Sequence, residues 1–567
     1  MTETIGQQPI SFWIVMLSYG ILLGAISIYF AKYIKNTEDF FRASQNTPWW
    51  IGGLSFFMTA FSASVFVGGA SFAYQYGALS LSQVALMLPT FILGYFVFSR
   101  RWHRTGLETA IEFIEHRYNG KTAHFFIWTG LPVRILDNAN RLYVTAVLIE
   151  VLFGIDLWTA ILLTALTAVI YTVAGGFLAV VVTDSIQALV MAIIVIIIAV
   201  TSYLRVGGFS GLIEKLPEGY WSLNPPDTDY SIAMIASLAL VAYCTWNGYW
   251  SLVQRYLTVE TESDAKKVCL TGGFSYFLLF PLFMLPPIFA VVLVPGLESA
   301  QEAETSYLRI AELILPSGLL GVMCFALIGA TITALNSDLN VMSQIIINDA
   351  FKKVLRLTSE KKRLLISRIT VVVITILCML IAGSIRSLGG SFRYLVTLMG
   401  LTSMPTFIPL LMGLFYKRTP PWGAITAFCA GITIGLVMTF GFGVTLTWVI
   451  VANFLTTLGV MLVTGWRWPV TGEKSRQVDA LFKKLSTPGA GNVTDTGGTK
   501  VVNGRILTLV AFVMFVMGTI LLFTGTQLSN ADIKIVISSV SIFYFAGFML
   551  TAIKYILKKK AAVIVKD

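Results

Sequence analysis

Charge is scarce in this chain: Asp, Glu, Lys and Arg make up 12% of its 567 residues, and histidine occurs three times. A soluble fold of this length carries about twice that charged fraction, so a water-facing surface over the whole molecule is excluded. The five cysteines, Cys244, Cys269, Cys324, Cys378 and Cys429, lie in or beside apolar runs without C-x-x-C spacing. That pattern describes small core residues, not a disulfide framework or a metal set. Enzyme signatures are missing too: there is no H-E-x-x-H, P-loop, nucleophile elbow or paired acid cluster. His103, His116 and His124 fall in or beside one loop, where solvation is expected and no metal site in a bilayer can be built.

Apolar sequence fills the space: 56% of residues are hydrophobic, mean hydropathy is +0.79, and there are 39 phenylalanines. This composition predicts an all-α polytopic membrane protein. Stretches long enough to span, about 20 residues each, begin near residues 11, 47, 78, 122, 157, 183, 230, 268, 306, 366, 393, 421, 442, 504 and 533. They make about 15 transmembrane helices, with the joins near 175–183 and 440 left open. The first run is too long and too weakly bounded for a cleaved signal and is expected to remain as a helix.

The net charge of +11 would suit nucleic acid if it were clustered on a soluble face, but it sits in alternate loops. Lys32, Lys35 and Arg42, then Arg100 to Lys121, Lys266 and Lys267, Lys352 through Arg368, Lys417 and Arg418, the 467–505 segment and Lys558 to Lys560 form the basic set. The other set is nearly bare, with Lys215 and Arg386 its clearest members. By the positive-inside rule the basic loops are cytoplasmic, which places the N-terminus outside and the C-terminus inside a plasma membrane.

Two apolar segments are interrupted. One is S-F-F-M-T-A-F-S-A-S-V-F-V-G-G from Ser55 to Gly69; the other is C-T-W-N-G-Y-W from Cys244 to Trp250. Broken helices survive at membrane depth only where the freed backbone groups meet protein, water or an ion. A pair of them in corresponding positions of two halves points to a transporter with its site at the breaks; close packing through small residues is the alternative for either alone. The expected organisation is an extra helix and loop (1–46), a first half (47–229), a second half (230–416), two further helices (417–466), a flexible polar linker (467–503) and two peripheral helices with a basic tail (504–567).

Four stretches resemble the sodium/solute symporters, the family of sodium-coupled glucose, proline and sialic acid transporters. Tyr171 to Gln187, Y-T-V-A-G-G-F-L-A-V-V-V-T-D-S-I-Q, is similar to the family's Y-x-x-x-G-G-x-x-A-V-x-x-T-D-x-x-Q. Val253-Gln254-Arg255 follows Trp246 as the family's Q-R follows its tryptophan. Ser337-Asp338-Leu339-Asn340 continues to Asp349-Ala350-Phe351-Lys352, and Gly413 to Arg418 reads G-L-F-Y-K-R. The resemblance covers about residues 10–465. It implies a five-plus-five inverted repeat with broken first and sixth core helices, working by alternating access.

It also implies a sodium site. A hard cation stripped of water needs about five or six oxygens, and the family pattern draws carbonyls from Met58, Phe61 and Ala330 and hydroxyls from positions 333 and 334. Thr333 fits; Ala334 lacks the expected oxygen. Asp184 stands where the family has an acid near this site and could tune the site or take a proton, since a carboxylate at bilayer depth costs roughly 2.5 kcal/mol or more. The other reading of Asp184 is a cap at a cytoplasmic helix end. For Asp338 the sequence offers no account beyond a polar crevice.

Candidate solute contacts are Ser62, Ser64, Val65, Gln83, Asp137, Arg141, Trp246, Tyr249 and Trp250. Arg134, Asp137 and Arg141 share one helical face, and by the resemblance Asp137 stands where sialic acid transporters have an arginine for a carboxylate. Aspartate there disfavours an anionic solute, unless Asp137 and Arg141 simply neutralise each other at i, i+4. Tyr249 and Trp250 offer aromatic faces for a sugar ring or an amine, although aromatics also serve as packing. Together these residues predict a sodium-coupled symporter for a sugar or a related neutral or amine-bearing solute. Proton or weakly sodium-dependent transport is the alternative, and a channel or a membrane sensor the more distant ones. The chain's end at Asp567 leaves no room for a signalling domain, and no obligate protein partner is evident.

Overall fold

The computed structural model describes residues 9–31, 47–60, 64–107, 109–174, 177–225, 228, 230–347, 360–487, 497–524 and 530–564. These residues form helices and connecting turns, with no strand among them. The first helix, α1 (Ile10–Ala31), is followed by α2 (Trp49–Ala60), a π-helical turn (Val65–Gly69) and α3 (Ala70–Leu86). α3 contains a sharp reversal at Gly77 (φ +30°). There the Tyr220 hydroxyl donates to the carbonyls of Ala73 and Tyr74 at 2.8 and 2.9 Å, which satisfies backbone freed by the kink. The chain then runs through α4 (Leu88–Leu93) and α5 (Ser99–Thr105), past α6 (Ala110–Arg117), into the long α7 (Gly120–Phe153), α8 (Leu157–Ala174) and α9 (Phe177–Val206), with the short α10 (Gly208–Lys215) after it.

α11 (Ile232–Gly248) and α12 (Trp250–Leu257) are bent by 44° at their junction, where Tyr249 is extended (φ −64°, ψ 126°). α13 (Glu262–Leu293) is capped by the Thr261 hydroxyl, which accepts from the Asp264 N–H. Two short helices, α14 (Ala300–Ala303) and α15 (Ser306–Ile314), lead to α16 (Ser317–Ile345), α17 (Glu360–Ala382) and α18 (Gly390–Gly413). α19 (Pro421–Leu436), α20 (Leu446–Arg467), α21 (Gly472–Ser486), α22 (Gly497–Thr524) and α23 (Asn530–Ile564) complete the chain. By length and apolar character nine helices among the described residues can each cross a membrane, and two bent pairs bring the number to eleven. Ile10–Ile26 and Ile506–Leu522 are shorter apolar helices.

Three expectations need correction. The apolar run expected to span from residue 306 is split: Ser306–Ile314 is a separate short helix, and Pro316 (φ −57°, ψ 147°) starts the spanning helix at Ser317. Within the segment read as a flexible linker, α21 is an amphipathic helix that buries Val478 and Leu485. Lys484 donates to the Thr105 carbonyl at 2.7 Å, Arg104 to that of Leu485 at 2.9 Å, and Lys474 to that of His116 at 3.0 Å. His103, expected to be solvated, lies in the last turn of α5, half-buried with Nε2 3.3 Å from the Val259 carbonyl oxygen.

Aromatic packing joins α3 to α18. Phe72 of α3 stacks on Phe392 of α18 with ring centroids 4.3 Å apart, and Tyr76 and Tyr230 pack around them. Glu304, buried in the turn before α15, accepts from the Tyr143 hydroxyl (2.9 Å) and the Ser391 N–H (2.6 Å). Burial pushes its carboxyl above the ordinary range, and these two donors pull against that.

Candidate ion and solute sites

α2, α9, α12 and α16 meet around a cluster of buried polar side chains. Asp184 lies in the third turn of α9, is 3% exposed, and accepts from the Ser55 hydroxyl of α2 at 2.9 Å. It is therefore an internal acid, and the reading of it as a helix cap is set aside. Thr333 on α16 has its hydroxyl 3.0 Å from the Ala330 carbonyl oxygen and also meets the Asp184 carboxylate. A hydroxyl that can turn between two acceptors keeps lone pairs for a cation. Met58, Ala330, Thr333 and Ala334 are all buried, and Ala334 brings only a methyl group. Phe61 lies outside the described residues, as do Ser62 and the Asp349–Lys352 end of the motif on α16.

Arg255 completes this cluster. It is 1% exposed, and its Nη2 stands 3.9 Å from Asp184 Oδ2 and donates to Ser55 Oγ at 3.3 Å. Its Nη1 donates to the Ser251 carbonyl, one turn back on α12, at 2.9 Å.

A pocket opens at the junction of α11 and α12, walled by Arg134 and Asp137 of α7, Tyr249 and Trp250 at the bend, and Thr402 and Thr406 of α18, among others. Gly130 makes room for the indole of Trp250, since a Cβ there would sit 3.2 Å from the ring. Of the candidate contacts, Asp137, Tyr249 and Trp250 line this pocket; Ser64, Val65, Gln83, Arg141 and Trp246 do not. Arg141 stands behind the wall and donates to Asp137 Oδ2 from Nε and Nη2, both at 3.3 Å. Ser64 accepts from the Asn140 amide at 3.3 Å, and Val65 and Gln83 are half-buried elsewhere. Trp246 packs among Phe56, Phe91 and Tyr276.

Asp338, which sequence reasoning left without an account, is buried outside the pocket's lining and holds two of the lining residues, Arg134 and Tyr249. It pairs with Arg134 (Nη1 to Oδ1, 2.9 Å) and accepts from the Ser251 hydroxyl at 2.9 Å and the Tyr249 hydroxyl at 2.7 Å. Tyr249 Oη also lies 3.0 Å from Asp137 Oδ2. The Arg134 guanidinium rests over the Tyr249 and Trp250 rings at 4.5 and 4.3 Å from their centroids. The buried Asp338 and the half-buried Asp137 thus form two ion pairs with two buried guanidiniums, joined through one tyrosine. For Ser251 and Arg255 the available sequence signal was the Q-R motif on a short helix. For the α18 wall it was the hydroxyl-rich T-S-M-P-T inside an apolar run.

The profile of the sodium:solute symporter family matches residues 40–431. The chain belongs to that family. Its relatives include the sodium/glucose cotransporter of Vibrio parahaemolyticus, 29% identical over 72% of this chain and 80% of the relative. Human sodium/myo-inositol cotransporter 2 is 26% identical over 75% and 69% respectively. Among solved structures, the substrate-bound outward-open state of a Na⁺-coupled sialic acid symporter superposes with a TM-score of 0.69, covering 82% of this chain and 99% of that one at 21% identity. That likeness carries the fold, an all-α five-plus-five inverted repeat.

Proposed function

We propose that this symporter imports a neutral, polyhydroxylated solute, a sugar or cyclitol, together with Na⁺. One observation carries the choice of solute: both charged residues that line the pocket are already neutralised, Arg134 by Asp338 and Asp137 by Arg141. A charged solute would leave one member of a buried pair without its partner, which is costly. A polyol exchanges hydroxyl hydrogen bonds with carboxylates and guanidiniums without disturbing that balance, and the half-covered faces of Tyr249 and Trp250 give its ring apolar surface. The family's glucose and myo-inositol carriers support the same class.

Sodium binds among the carbonyls of Met58 and Ala330, the hydroxyl of Thr333 and the carboxylate of Asp184, with Phe61 as a further carbonyl donor. Five oxygens from these residues suit a dehydrated hard cation even without a hydroxyl at 334. By the positive-inside rule the basic loops of the sequence are cytoplasmic, so the N-terminus faces outward.

Uptake into proteoliposomes under an inward Na⁺ gradient tests both parts. Glucose or myo-inositol should accumulate above equilibrium and compete with the transported tracer, whereas proline, sialate and simple amines should not. Equal uptake in choline with an imposed proton gradient would overturn sodium coupling and make Asp184 a proton carrier.

A further inference from the structure

We infer that α12 is the element through which the ion site and the solute pocket sense each other, with Ser251, Arg255 and Asp338 as its positioning residues. The inference rests on the sodium-coupled reading above and adds a physical route to it. α12 has only eight residues, Trp250–Leu257, and hangs from a 44° bend at Tyr249, so it can tilt without carrying α11 with it. Each of its two polar ends answers to a different site. At one end Arg255 faces Asp184 and Ser55 in the ion cluster. At the other, Tyr249 and Trp250 form the pocket wall, and Ser251 holds Asp338.

The hydrogen bonds between these ends are continuous. Asp184 is joined to Ser55, Ser55 to Arg255, Arg255 to the Ser251 carbonyl, the Ser251 hydroxyl to Asp338, and Asp338 to Tyr249 and Arg134. Asp338 also lies on α16 five residues beyond Thr333, so the same helix carries an ion ligand and the anchor of the pocket wall. Spatial continuity alone does not establish coupling; what does is an element whose position both sites bias. A cation at Asp184 repels the Arg255 guanidinium, whose 3.9 Å contact with that carboxylate is looser than the hydrogen bonds that follow it. Movement of Arg255 pulls on the Ser251 carbonyl, and with it on the bend that sets Tyr249 and Trp250. By reciprocity, a solute that draws Tyr249 off Asp338 changes sodium affinity by the same factor.

The test needs no knowledge of the solute. In a Cys429→Ser background, Thr402→Cys places a thiol in the pocket wall, and its alkylation rate by N-ethylmaleimide is measured in Na⁺ and in choline. The rise in unfolding temperature on adding Na⁺ is recorded alongside as a report on the ion site. In the parent, Na⁺ should change the alkylation rate by about fivefold or more. Ser251→Ala should keep the thermal response to Na⁺ while reducing the change in alkylation to below about twofold, and Ser251→Thr should restore it. Asp338→Asn should act like Ser251→Ala. If Ser251→Ala leaves the sodium effect on alkylation at the parent's size, or abolishes the thermal response as well, α12 is not the link. If the parent itself shows neither response to Na⁺, the sodium reading falls and the inference with it.

Discussion

Asp184 and Asp338 are both carboxylates buried within spanning helices, both face an arginine, and both accept from a serine, yet their pairing differs. Asp338 is held by Arg134 at 2.9 Å and by the hydroxyls of Ser251 and Tyr249. Asp184 has Arg255 no nearer than 3.9 Å, and Ser55 and Thr333 as hydroxyl neighbours. In a low-dielectric interior an ion pair holds its place when geometry is close and the remaining lone pairs are met. Asp338 satisfies that condition and is a structural acid. Asp184 satisfies it incompletely, so part of its negative charge is left to be answered by something that comes and goes. That difference separates a residue that holds the pocket's arginine and tyrosine in place from one whose charge the proposed sodium site would use.

The comparison is broken most forcefully at the tight pair. Asp338→Ala leaves the Arg134 guanidinium buried without its carboxylate, and the loss should be about 3–5 kcal/mol of stability, seen as a large drop in the unfolding temperature of the detergent-purified protein. Replacing both members, as Arg134→Met with Asp338→Leu, should recover much of it, because no lone charge remains. A single-site loss no larger than that of a neutral surface change would mean that Asp338 is not the anchor described here.

Much of this was legible before the structure, and the parts that were not share one physical cause. The number and order of the helices follow from runs of apolar residues, whose signal is local. The interruptions at 55–69 and 244–250 announced themselves through glycine, hydroxyls and aromatics in lipid-length runs. The pairing of Asp137 with Arg141 was open because i, i+4 spacing permits it without requiring it. By contrast, the partners of Asp338 come from α7 and α12, at sequence separations of 204, 89 and 87 residues, and no local pattern encodes such meetings. α21 was missed for another reason: its apolar face, Val478, Leu481, Phe482 and Leu485, is short and surrounded by lysine and glycine-rich sequence, which masked a helical period.

The loose pair should respond in both directions. Asp184→Asn keeps an acceptor for Ser55 but removes the charge, and should raise the sodium concentration for half-maximal uptake by roughly tenfold or more. Arg255→Gln removes a competing positive charge and should lower that concentration instead, while Arg134→Gln should not. Sodium titrations of uptake, or of thermal stabilisation, give the sign directly; a weakened response in Arg255→Gln would mean that the arginine helps to build the ion site. Thr333→Ala comes next in size. It removes one neutral oxygen and should raise the half-maximal sodium concentration by about fivefold, in keeping with about 1 kcal/mol for a neutral polar contact, without altering which solutes compete.

The smallest effect is expected from Ala334→Ser, and it is the most informative about geometry. Position 334 is 5% exposed on α16, directly after the threonine whose hydroxyl meets Asp184, and a serine hydroxyl adds only one oxygen atom. If that oxygen points at the cation it supplies a further ligand and should lower the half-maximal sodium concentration by a few-fold, again about 1 kcal/mol at most. In a helix a serine can instead donate back to the carbonyl one turn earlier, here that of Ala330, which would take lone-pair density from a carbonyl assigned to the ion. That geometry predicts weaker sodium dependence. Tightening therefore places position 334 on the ion, weakening places it behind Ala330, and an unchanged titration moves the site away from this turn of α16 altogether.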